Sequence, residues 1–303
     1  MVTMPVVAAV DGSEESLRAV EWAALEAQRH GAPLRIVCAP ALPPRMHARN
    51  AVPQTVADQL SGVSERALHE AVTRAREFSS RPLIDADLLD GPPALAVTAA
   101  GSGALMLVVG ARGAGGFAQL LLGSVSRYAA MHAACPVIVV REETNAVHRE
   151  VVVGVRDPHD ATASLDFAFG EAALRGAALV VVHSWNSLSA AIWRQADAER
   201  VAAEADASLA EALEPWREKY PGVPVRQDVL HGHPARVLSA YAGRADLVVI
   251  GRNGRGHTIG GIQHAVLSHA HGPIAIVPET VVVPDLLMTA TALRVLSSPI
   301  VGT

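Results

Sequence analysis

Apolar residues fall in short unbroken runs separated by longer amphipathic stretches, and this alternation continues along most of the chain. The runs at 5–10, 34–38, 84–89, 104–110 and 137–140 have the length and the Val, Ile and Leu content of buried strands. Between them, 13–30, 56–78, 94–100 and 125–134 carry helical spacing or composition. Gly31 follows the first helix as a C-cap, the prolines after Gly91 open the third, and Pro136 stops the fourth.

The same order then returns. Strands are predicted at 151–155, in the apolar run that follows Gly176 up to 183, and at 225–230, 245–251 and 274–277, and helices at 161–175 and 196–219, with Pro234 opening a third. Gly31-Ala32-Pro33-Leu34 is answered by Gly176-Ala177-Ala178-Leu179, and Gly91-Pro92-Pro93-Ala94 by Gly232-His233-Pro234-Ala235. Such self-similarity marks an internal repeat. We divide the chain into domains at 1–145 and 146–280, joined by a polar linker at 141–150, and a tail at 281–303. Strands that are apolar throughout and alternate with helices imply parallel sheets covered on both faces, hence an α/β fold of two doubly wound five-stranded domains in tandem.

Composition narrows the possibilities. The chain has 303 residues, half of them apolar and only 4% aromatic, so its cores must be built from Ala, Val and Leu. A formal charge of −5 and the lack of a basic run argue against a nucleic-acid footprint. Cys38 and Cys135 lie in predicted buried elements without a C-x-x-C pair, which fits a reducing cytoplasm. Residues 1–5 lack the pattern of a signal peptide. The uncharged stretch 91–111 imitates a membrane span, but its glycines and prolines divide it into a helix and a strand.

The chemistry concentrates after the fourth strand. Gly110-Ala111-Arg112-Gly113 is followed by nine residues and then Gly123-Ser124, where a helix begins. Glycines let the main chain approach an anion, and a helix start presents unpaired N–H groups with partial positive charge. Taken alone, the same residues also suit a tight βα turn. In a doubly wound sheet the ligand crevice lies outside the carboxyl ends of the strands, where both Asp11 and Gly110 fall. Neither the P-loop nor the dinucleotide-binding spacing is present.

With Val10-Asp11-Gly12-Ser13, the full G-x2-G-x9-G-[ST] pattern and the repeat, the chain over residues 4–280 resembles the tandem-domain members of the universal stress protein family. The resemblance implies a Rossmann-like fold of the adenine nucleotide alpha hydrolase type and ATP as ligand, with Mg²⁺ as a possible companion. It implies that Asp11 contacts the ribose and adenine region and that the backbone at Ala39 holds the adenine. The phosphates would lie among Gly110, Arg112, Gly113, Gly123, Ser124 and Val125. The residues themselves leave Asp11 open as a helix cap in competition with Ser13, and Arg112 as a solvated loop charge. The resemblance further implies that the halves pair through their last strands as an intrachain pseudo-dimer, and that chains form a homodimer.

The second half departs from the pattern. Arg156-Asp157-Pro158 replaces Asp11-Gly12-Ser13, only five residues separate Gly254 from Gly260, and Gly261 replaces the serine. One competent nucleotide site, in the first half, is therefore expected. Arg156, Arg252 and Arg255 offer a different anion site as the counter-reading. His231, His233, His257, His264, His269 and His271 lack convergent ligand spacing, so no metal is expected. No catalytic motif is present, which favours a regulatory stress-response binding module over a slow ATPase; a nucleotide-independent interaction scaffold is the alternative. In the tail, 281–283 could extend a strand and 286–296 form a short apolar helix.

Overall fold

The computed structural model describes residues 3–40, 54–113, 121–141, 147–157, 161–185, 195–252 and 260–278. In the first half β1 (Val6–Val10), α1 (Glu14–His30), β2 (Leu34–Cys38), α2 (Gln54–Phe78), β3 (Ile84–Leu88), α3 (Pro93–Ala100), β4 (Met106–Gly110), α4 (Ser124–His132) and β5 (Val137–Val140) follow in order. The second half repeats them as β6 (Glu150–Val155), α5 (Thr162–Arg175), β7 (Ala178–Trp185), α6 (Gln195–Lys219), β8 (Val225–His231), α7 (Pro234–Ala242), β9 (Leu247–Arg252), α8 (Gly261–His269) and β10 (Ile274–Pro278). The predicted tail elements lie outside the described residues.

Each half is a parallel sheet in the order 3-2-1-4-5, and the two are edge to edge. Ile274, Ala275 and Ile276 of β10 pair antiparallel with Val139, Ile138 and Val137 of β5, so ten strands form one sheet. Strand alternation sorts the core into two layers. Val6, Ala8 and Val10 of β1 face the cluster that contains α1 residues Leu17, Val20 and Ala24, whereas Val7 and Ala9 face that containing Val97 of α3 and Ala129 of α4. Helices α1 and α4 thus leave neighbouring strands toward opposite faces. Cys38 and Cys135 are buried free thiols, and burial raises the pKa of both, that of Cys135 to about 11.

Local chemistry sets the helix ends. Ser13 caps α1 by accepting the Ser16 N–H, and Glu14 and Glu15 occupy its first turn, where the helix dipole favours negative charge. Gly31 and Gly176 end α1 and α5 at φ values of 59° and 58°, the left-handed conformation glycine adopts without steric cost.

Where α1 and α5 meet, the repeat builds an ionic junction around the buried carboxylates of Glu26 and Glu171. Glu26 and Glu171 occupy matching positions, each four residues before a basic partner, His30 or Arg175, and each pair directly precedes its C-cap glycine. Partners are exchanged across the junction: Arg175 meets Glu26 at 2.6 Å and His30 meets Glu171 at 3.0 Å. Arg175 also bonds Glu171, and Arg29 lies 2.9 Å from Glu26. Burial alone would raise Glu26, but the His30 hydrogen bond and the charges of Arg175 and Arg29 hold it well below the usual carboxylate range. Burial likewise opposes the charge on His30, yet Glu171 and Glu26 raise it from 6.5 to about 9.

The sign of the linkage follows. A folded-state value raised above the unfolded one means that protonated His30 contributes stability in full below about pH 6.5 and loses it as the pH climbs through 9. The loss should be on the order of 1–2 kcal/mol after solvent screening. Urea midpoints measured from pH 6.5 to 9.5 should fall in the wild type and change less in His30→Gln. Equal pH dependence in both proteins would remove His30 from the account.

Candidate functional site

The carboxyl edge of the first half gathers residues about a hundred positions apart. Past β1, Asp11 Oδ1 accepts both the backbone N–H of Ser13, at 3.0 Å, and its hydroxyl, at 2.6 Å. Gly12 turns the chain at φ 83°, and α1 begins. The first turn of α1 presses on the end of β4 so closely that a β-carbon at Gly110 would lie 2.8 Å from the Glu15 carbonyl carbon and oxygen. Glycine at 110 is thus a packing requirement as well as a loop residue.

Three residues later the chain comes back to Asp11. A β-carbon on Gly113 would lie 2.2 Å from Asp11 Oδ2, so the carboxylate and the loop backbone touch. Between them Arg112 donates to Glu15 at 2.8 Å, while its Nε is buried without a hydrogen-bond partner among the described residues. Residues 114–120 of the loop lie outside the described residues.

The loop delivers the chain to α4. Gly123 donates to the Ala111 carbonyl at 2.7 Å and serves as N-cap with φ −69° and ψ 157°. It has no side chain with which to cap, so the first turn, beginning Ser124-Val125-Ser126, receives no side-chain bond at its N-cap. Ser126 instead donates its hydroxyl to the Gly110 carbonyl at 2.5 Å, tying the helix start to the strand end. Ala39 lies just beyond β2 at the same sheet edge, buried with its methyl in the core. Asp11, Ala39, Gly110, Arg112, Gly113, Gly123, Ser124 and Val125 are all therefore at or beyond the carboxyl ends of β1, β2 and β4. A carboxylate, a guanidinium N–H without a partner among the described residues and a helix start without a side-chain cap lie together there, groups able to bond hydroxyls and anions.

The second half arranges its equivalents differently. Arg156 stands in the place of Asp11, and Gln263 in the place of Ser126, donating to the Gly251 carbonyl at 3.0 Å. Gly254 and Arg255 lie outside the described residues. Arg252, read from the sequence as a candidate for an anion site there, instead reaches into the first half, donating to Ala133 at 2.8 Å at the end of α4. Burial lowers its pKa from the ordinary arginine value. Arg141 crosses in the other direction, to Leu267 of α8 at 2.6 Å, and within its own half donates to Leu121, just ahead of α4, at 2.7 Å. Neither arginine contact was visible in the motif.

Among the described residues, the group of metal-capable side chains that converges is Glu26, His30 and Glu171, at the α1–α5 junction rather than here. Arg175 already neutralises its carboxylates. None of the second-half histidines belongs to it, and His257 lies outside the described residues. No described helix is long and apolar enough to cross a membrane.

Comparison with known proteins gives a consistent result. The universal stress protein family matches residues 3–141 and 148–278. A universal stress protein of Mycobacterium tuberculosis is 32% identical over 295 residues, covering 91% of this chain and 97% of its own length. A second from that organism is 30% identical over 305 residues, covering 92% and 97%. The crystal structure of a universal stress protein from Archaeoglobus fulgidus shares the fold, with a TM-score of 0.65 at 18% identity over 90% of this chain and 96% of that one.

The contact at Gly110 carries a stability consequence. Gly110→Ala should lower stability by about 1–3 kcal/mol, because its β-carbon meets backbone. Gly113→Ala meets only the end of the Asp11 side chain and should cost less. Urea denaturation of the two variants checks the order, and a larger loss at Gly113 would contradict it.

Proposed function

We propose that this chain, which belongs to the universal stress protein family, is an ATP-binding regulatory module of the stress response whose first half holds the nucleotide. One observation carries the reading: the Asp11 carboxylate touches Gly113 beside an α4 start that no side chain caps. Asp11 would accept ribose hydroxyls, and the backbone beyond β2 at Ala39 would meet the adenine. Amides of Gly113, Ser124 and Val125 and the unsatisfied Arg112 Nε would take the phosphates. Gly110 and Gly123 keep the cradle free of side chains. Mg²⁺, if carried, would ride on the phosphates.

Around this site we divide the chain into domains at 1–145 and 146–280, followed by a tail at 281–303. We read the halves as an intrachain pseudo-dimer joined through β5 and β10, with two chains associating further as a homodimer. A second reading, the nucleotide-independent scaffold, is favoured by the bonds that Asp11 and Arg112 already make to Ser13 and Glu15.

Calorimetric titration with ATP separates the two. The wild type should bind saturably, Asp11→Ala at least tenfold more weakly, and Gly113→Ala more weakly still, with the fold of each variant checked by circular dichroism. Absence of binding by the folded wild type would leave the scaffold.

A further inference from the structure

The second half contains a cleft that the nucleotide reading leaves unused. It lies at the carboxyl edge of β6, β7 and β9 with an internal volume of about 100 Å³, several times what a single water needs. Val182, Leu238, Ile250 and Ile262 give it apolar walls.

Its polar groups reverse the order found in the first half. Where Ser126 is short and leaves the α4 start open, Gln263 is long. Its Oε1 lies so near Gly260, the N-cap of α8, that a β-carbon there would be 2.4 Å away. Gln263 Nε2 is held by the Gly251 carbonyl at 3.0 Å, which leaves Oε1 as the acceptor of a residue that lines the cleft. An amide oxygen at that spot repels a phosphate and calls for a donor. Arg156 stands where the first half has Asp11 and, exposed beside Asp157, also lines the cleft. A guanidinium suits a carboxylate, and the neighbouring Asp157 discourages anything more highly charged.

We propose that this cleft binds a small organic acid with a single negative charge and an apolar body. Its carboxylate lies on Arg156, its body against the four apolar side chains, and a hydroxyl or N–H of the ligand donates to Gln263 Oε1. The site is separate from the first-half cradle and does not depend on nucleotide binding there.

4-Hydroxyphenylacetate serves as the probe, titrated into the full chain by calorimetry or ligand-observed NMR. Saturable binding of one equivalent is expected, weakened at least tenfold in Arg156→Gln and for the neutral 4-hydroxyphenylacetamide. In Gln263→Leu the preference for this probe over phenylacetate should vanish while the preference for acid over amide persists. Asp11→Ala should leave all of this unchanged. No saturable binding by the wild type, equal binding of acid and amide, or loss in Asp11→Ala with retention in Arg156→Gln would overturn the proposal.

Discussion

The close approach of the first turn of α1 to the end of β4 is the constraint on which the candidate site depends. With β1 and β4 side by side, α1 turns back over one face of the sheet and the α4 helix over the other, leaving a crevice between their starts. Only a glycine at 110 lets the Glu15 backbone come within van der Waals limits. That contact brings Arg112 to Glu15, and Asp11 to Gly113, although the paired residues are about a hundred positions apart. Ser13, not Asp11, caps α1, and the two bonds from Ser13 that hold Asp11 Oδ1 aim Oδ2 at Gly113.

The second constraint is the junction of the halves. Pairing of β5 with β10 makes one sheet, and charged side chains reinforce it on both faces. On one face Glu26 and Glu171 exchange His30 and Arg175 across α1 and α5. On the other, Arg252 and Arg141 donate to carbonyls in or near α4 and α8, the helices whose opposite ends border the first-half candidate site and the second-half cleft. A guanidinium on the last carbonyls of a helix complements its dipole. Each of these helices is in this way anchored by a residue of the other half.

The strand runs and the glycine C-caps made the fold legible, because parallel strands buried on both faces read as unbroken apolar segments. Most predicted elements agree with the structure within two residues. The loop between β4 and α4 was legible from its glycines and Ser124, and its closeness to Asp11 from the order of the strands. Contacts made by side chains between repeats were not. Glu26 and Glu171 sit on otherwise apolar helical stripes, and only the 145-residue offset between Gly31 and Gly176, which superposes both charged pairs, gave a signal. Arg252 follows a motif glycine, so spacing assigned it to its own half, whereas the antiparallel strand pair offers it the end of α4. The bulk of Gln263 at a serine position was equally visible, but its meaning depended on where Oε1 points.

The central claim, a nucleotide cradle in one half and a differently built cleft in the other, is tested most directly by counting ATP equivalents bound per wild-type chain in equilibrium dialysis. The account predicts one. Two equivalents, or none, would contradict it.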